Sequence, residues 1–170
     1  MATPYTLRRA STPSDMAQIV QRHGDLYSKE HNFNKDLAES VAEEITTGFV
    51  STHDPRSERC WIAERNGEFV GCVMLVKDST SGSSSDCNCA KLRLLIVDPS
   101  ARGLGLGQDL VQQCTRFARE AGYQCIRLWT SSVLTAARRL YKKEGYRLVR
   151  EEEDQTFGVK LTAEFWELAL

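Results

Sequence analysis

The residues with the plainest chemistry stand at Arg102-Gly103-Leu104-Gly105-Leu106-Gly107. Glycines at alternate positions let backbone N–H groups close on an anion, and a helix opening directly behind them favours negative charge. The arginine at the mouth adds a planar cationic fork suited to phosphate. The chemistry predicted for this loop is that of a pyrophosphate cradle. Two familiar cradles do not fit. A Walker A loop ends in Gly-Lys-Ser/Thr, whereas Gly107 is followed by Gln108 and Asp109. A dinucleotide fingerprint needs its third glycine where Gln108 stands and an acid at the end of the following strand, and no such acid is seen near Trp129 and Thr130.

The elements that must position the cradle follow from periodicity. Lys91–Val97 is an aliphatic, β-branched run of strand length, stopped by Asp98-Pro99-Ser100. From Leu106 the apolar residues Leu110, Cys114, Phe117, Ala118 and Ala121 fall on one helical face, and Gly122 ends it. Upstream, Tyr5–Arg9 reads as a strand. Thr12 or Ser14 then caps a helix carrying Met16, Ile19, Val20, His23 and Tyr27 on one face, fading near Glu30. A second helix is predicted over about Lys35–Thr46. Cys60–Arg65 and Glu68–Lys77 flank Asn66-Gly67, a hairpin signal, and Asp78–Asn88 reads as a mobile serine-rich surface loop. Downstream come a strand Gln124–Thr130, a helix Leu134–Lys143 closed by Gly145, a strand Tyr146–Glu151, an acidic loop Glu151–Asp154 and a final strand Phe165–Leu170. The order β-αα-β-β-β-α-β-α-β-β predicts an α/β domain with a mixed sheet, a single unit over residues 1–170.

Composition narrows the function classes. Hydrophobic residues at 41% and charged residues at 26% fit a soluble globular chain, and a net charge of −1 offers no electrostatic case for nucleic acid or an anionic membrane. No apolar run approaches the roughly 18 residues of a membrane span, and the N-terminus lacks the apolar core of a secretory signal. A cytoplasmic protein with reduced thiols is expected. Cys60, Cys72, Cys114 and Cys125 fall in predicted strands or a helix and read as small hydrophobes. Cys87 and Cys89 form C-x-C in the serine-rich loop without a second Cys/His pair at zinc-finger spacing, so no metal is expected.

Arg-Gly-x-Gly-x-Gly after an apolar strand ending in Val-Asp-Pro resembles the acyl-CoA cradle of the GNAT superfamily of N-acetyltransferases. IRLWTSS and LTAARRLYKKEGYRLV look like that family's next strand, helix and strand. LRLLIVDPSARGLGLG, LWTSSVLTAARRLYKKEGYRLV and the terminal WELAL are similar to the acetyltransferase domain fused behind MarR-type DNA-binding domains in some bacterial regulators. The resemblance implies the acyl-CoA N-acyltransferase (GNAT) fold, a mixed central sheet of about seven strands flanked by four helices. It implies acetyl-CoA as acyl donor, no metal, and a primary amine acceptor, either a small molecule or a basic peptide. A protein lysine is a further option for the acceptor, and a homodimer is compatible with it.

Site residues follow from the same resemblance. Backbone groups of Leu95, Ile96 and Val97, freed where the central strand splays from Gln124–Thr130, should bind the pantetheine arm. The amides of Arg102, Gly103, Leu104, Gly105, Leu106 and Gly107 should hold the pyrophosphate, and Ser131 occupies a position where many relatives place an asparagine near the arm. One of Arg138, Arg139, Lys142 and Lys143 could reach the 3′-phosphate, the rest forming a solvated face. Tyr141 matches a tyrosine that often protonates the departing thiolate, a task a phenol with pKa about 10 can perform without ionising at neutral pH. The alternative is a core tyrosine sharing a helical face with Leu134 and Ala137. Many relatives carry a glutamate base on the central strand, where this chain has Arg93; the arginine could bind a substrate carboxylate or pair with a neighbouring acid. His23 and Glu30 are the remaining candidates for the base, and Tyr27 for contact with the acceptor; each could equally be structural. An acyl-CoA-sensing module with little catalysis is the competing function.

Overall fold

The computed structural model describes residues 4–51, 53–79 and 87–170. It builds β1 (Thr6–Arg9), α1 (Pro13–His31), α2 (Asp36–Ile45), β2 (Arg59–Arg65), β3 (Glu68–Lys77), β4 (Cys89–Val97), α3 (Leu106–Glu120), β5 (Cys125–Ser131), α4 (Thr135–Glu144), β6 (Arg147–Asp154) and β7 (Leu161–Ala169). The seven strands form one sheet in the order β1-β2-β3-β4-β5-β7-β6. Only β4 and β5 run parallel, and the other neighbours are antiparallel. The predicted element order and mixed sheet are both present.

Alternation along the strands feeds two cores, one on each face. On one face α3 buries Leu106, Leu110, Val111 and Cys114 against Val73, Leu75, Leu92, Ile126 and Leu128. On the other, α1 and α2 bury Ile19, Leu37, Val41 and Ile45 against Ile62, Cys72, Met74 and Ile96. Thr12, of the two caps offered by sequence, closes a capping box with Asp15 around Pro13. Arg8 holds the Asp15 carboxylate at 2.7 Å and keeps it well below the ordinary carboxylate range.

Four expectations are corrected. The acidic run Glu151–Asp154 is not a loop but the end of β6, paired with β7 from Glu151↔Glu164 to Asp154↔Leu161. β6 is an exposed edge strand, where charges are tolerated on both faces and no apolar alternation betrays the strand. β7 in turn starts at Leu161, ahead of the predicted Phe165, because its first residues pair with that end of β6. Cys89 lies in β4 rather than in the serine-rich loop, of which residues 80–86 fall outside the described residues. Its pairing opposite Cys125, with Cα atoms 4.7 Å apart, makes a Cys89–Cys125 disulfide where reduced thiols were expected.

Candidate active site

β4 and β5 are hydrogen-bonded only over Cys89↔Cys125, Ala90↔Ile126 and Lys91↔Arg127. Beyond Lys91 they part. A bulge in β4 drives the separation: β3 advances from Cys72 to Met74 while β4 advances from Ile96 back to Arg93, and Leu94 takes φ 56°. The Cys72 thiol donates to the Leu94 carbonyl at 3.2 Å, which holds the bulge. No glycine marks it in the sequence.

A cavity of about 600 Å³ occupies the resulting slot. Leu95, Ile96 and Val97 form one wall, and Arg102, Gly103, Gly105, Leu106 and Gly107 close one end. Gly105 is the N-cap of α3 with φ 83°, a left-handed conformation that suits glycine, and supplies no side-chain cap. The first return bond is Asp109 N–H to Gly105 carbonyl, so the amides of Leu106, Gly107 and Gln108 remain as donors at a positive helix end. A Cβ on Gly107 would come within 2.7 Å of Leu140, so the loop packs against α4 at the distance glycine permits. Arg102 stands at the mouth, bonded to Glu30 at 2.8 Å, which raises the guanidinium pKa and lowers that of the carboxyl. The cradle therefore fits a phosphate-bearing ligand with an extended amide arm: uncapped amides and a cation at one end, free strand edge along the other.

Tyr27 and Glu30 also line the cavity. The Tyr27 hydroxyl donates to the Leu95 carbonyl at 3.5 Å, and burial pushes its pKa well up. Tyr141 is buried in the α3 core with its ring 5.6 Å from that of Tyr146. Burial is the largest cause of its strongly raised pKa, with the Tyr27 phenol next, but Tyr141 is not among the residues that line the cavity.

Other predicted residues lie elsewhere. His23 is buried, its Nδ1 2.8 Å from the Ile19 carbonyl, and burial lowers its pKa to about 4 against the raising effect of nearby backbone carbonyls. It is absent from the cavity wall and reads as a core histidine. Arg93 pairs with Glu44, the second of its two expected roles, beside a smaller cavity of about 70 Å³ that Lys77 and Lys91 also line. Ser131 is buried with an unpartnered Oγ, and neither it nor Leu104 lines the slot.

Residues 21–146 match the acetyltransferase (GNAT) family. The chain belongs to that family. It is 38% identical over 152 residues to the uncharacterized N-acetyltransferase YhfO of Bacillus subtilis, covering 89% of this chain and 92% of that one. It is also 34% identical over 102 residues to N-acetylaspartate synthetase of Danio rerio, spanning 60% of this chain but only 34% of that protein. Its fold superposes on YncA of Salmonella typhimurium, solved with its cofactor acetyl-CoA, at TM-score 0.74 and 20% identity, covering 98% of this chain and 94% of that one.

For a GNAT chain, two parts of the site escape sequence reasoning. On the α4 wall, Ala136 and Leu140 were signalled only by their i, i+4 spacing, whereas Lys143 was among the four basic residues offered for the 3′-phosphate. Arg139 joins Lys143 there, whereas Arg138, offered with them for the 3′-phosphate or a solvated face, pairs at 2.9 Å with Glu164 of β7. Glu164 is 1% exposed and also accepts from the Trp166 indole at 3.0 Å, an anchor that fixes α4 to the sheet.

Proposed function

We propose that the protein is an acetyl-CoA-dependent N-acetyltransferase that passes the acetyl group directly to a primary amine. The observation that carries this reading is the slot itself: a parting between β4 and β5 that ends on the uncapped amides of α3 and on Arg102. Acetyl-CoA would lie with its pyrophosphate on the amides of Arg102–Gly107 and its arm along Leu95–Val97, and when bound it supplies the activated thioester. The amine nitrogen bonds to the acetyl carbon as the carbon–sulfur bond breaks. A backbone N–H of the bulged strand polarises the carbonyl oxygen. Tyr141 gives its phenolic proton to the leaving sulfur; burial keeps that proton in place at neutral pH and destabilises an unprotonated thiolate in the same surroundings.

Glu30 takes the proton that the amine gives up. It lines the cavity, and its partner Arg102 is the residue a pyrophosphate would engage. Drawing Arg102 away removes the main cause of the lowered Glu30 pKa and makes the carboxylate a better base. For the acceptor we favour an amine that carries a carboxylate. Arg93, Lys77 and Lys91 outnumber Glu44 and Asp78 around the 70 Å³ cavity and would bind it once Glu44 yields, and one relative is named as an N-acetylaspartate synthetase.

Kinetics of Tyr141→Phe and Tyr27→Phe test the assignment. Tyr141→Phe should lower kcat by about 10²-fold or more, in the range for loss of a general acid, with acetyl-CoA affinity nearly unchanged. Full activity in that variant, with loss in Tyr27→Phe, would transfer the role to Tyr27. Tight acetyl-CoA binding without turnover on any amine would favour the sensing module, the reading suggested by the likeness to MarR-fused domains and by an arginine at the strand glutamate position.

A further inference from the structure

At the other end of β4 and β5 from the slot, three sulfurs converge. Cys89 and Cys125 occupy paired positions on adjacent strands and form the disulfide. The Cys87 Sγ lies 2.7 Å from Cys89 Sγ and 3.7 Å from Cys125 Sγ. Cys87 is held there by local structure. The Cys89 N–H donates to the Cys87 carbonyl at 3.1 Å, curling the chain back. Asn88 fixes the curl: its N–H donates to Gln124 Oε1 at 3.1 Å, its side-chain amide to the Gly122 carbonyl at 3.2 Å, and its carbonyl accepts from the Gln124 N–H at 2.8 Å. Cys89 and Cys125 are buried and Cys87 is exposed, so the group opens to solvent on one side.

We propose that Cys87, Cys89 and Cys125 form a three-thiolate site for one soft, thiophilic metal ion once the Cys89–Cys125 disulfide is reduced. An external dithiol supplies the two electrons and two protons for that reduction and is left as its own disulfide. Each thiol that then ligates the ion releases its proton. Thiolates held by a zinc-sized ion at bonds of about 2.3 Å stand about 3.8 Å apart, and the Cys87–Cys125 pair already has that spacing. Breaking the disulfide frees the Cys89 sulfur to move away from both Cys125 and Cys87. Softness selects the ligand class: an all-sulfur set takes Zn(II), Cd(II) or Cu(I) over Mg(II) or Ca(II).

The test uses the full chain, reduced with a phosphine, desalted without oxygen and titrated with Cd(II), following the thiolate-to-cadmium charge-transfer band. The band should grow to one ion per chain in the reduced protein and be missing from the unreduced one. Cys87→Ser, a change at an exposed position, should weaken binding at least about tenfold, and Cys125→Ser should do the same, because each removes a direct ligand. Cys114→Ala, remote on α3, should leave the titration unchanged. No band after reduction, a Cys87→Ser titration equal to wild type, or equal binding by the unreduced protein would each overturn the proposal.

Discussion

Replacing Arg138 with alanine should be the most damaging single change on the surface of α4. Its guanidinium meets Glu164 at 2.9 Å, where the carboxylate is 1% exposed and has the Trp166 indole, at 3.0 Å, as its other donor. Removing one partner of a buried ion pair strands the other and costs about 3–5 kcal/mol. In a chain of this size each kcal/mol lowers Tm by about 2–4 °C, so Arg138→Ala should melt about 6–20 °C below wild type. Urea unfolding followed by tryptophan fluorescence gives the free energy, provided the slope with denaturant is unchanged. The origin of the loss is then separable. If a stranded charge is responsible, adding Glu164→Gln to Arg138→Ala restores much of it, since the amide still accepts from Trp166 without a charge to desolvate. Because Arg139, Leu140 and Lys143 of the same helix wall the slot, acetyl-CoA affinity should fall in the single variant and recover in the double. A loss below about 1 kcal/mol, the level of a surface pair, or no recovery in the double variant, would refute the reasoning.

Two further outcomes follow from other residues. Glu30→Gln frees Arg102 for phosphate; the pair is part exposed, 48% and 28%, and worth about 0.2–1 kcal/mol, so acetyl-CoA should bind about 1.4- to 5-fold tighter by calorimetry while turnover falls. Weaker binding in that variant would contradict the competition between Glu30 and phosphate. His23 is neutral and buried, its pKa lowered from 6.5 to about 4, so the unfolded chain takes up a proton first as pH falls. Stability should drop between pH 6.5 and about 4, by at most about 1.4 kcal/mol per pH unit and about 3 kcal/mol in all, and His23→Gln should flatten that part of the profile. An identical pH profile in the variant would assign the acid sensitivity to other groups.

The cradle was legible because its chemistry is local. An arginine, alternate glycines and a helix start sit within six residues, and the structure sets Arg102, Gly103, Gly105, Leu106 and Gly107, though not Leu104, at one end of the cavity. Tyr27 and Glu30 were legible as one face of α1. What stayed hidden depends on register between distant segments. Cys125 meets Cys89 across 36 residues only because β4 and β5 pair at that point. Arg138 finds Glu164 through the β5–β7 pairing, which no local pattern announces. The Leu94 bulge that opens the slot is a left-handed turn taken by a leucine, and four acids in an edge strand read as solvated loop.

The most direct test of acetyl transfer uses acetyl-CoA carrying a labelled acetyl group, mixed with the protein and a panel of amino acids, polyamines and basic peptides, with mass spectrometry of every product. The label should appear on the nitrogen of one acceptor class, the carboxylate-bearing amines, in step with release of free thiol. Acetyl-CoA bound by the protein with no labelled amine, or label found only as free acetate, would contradict the account.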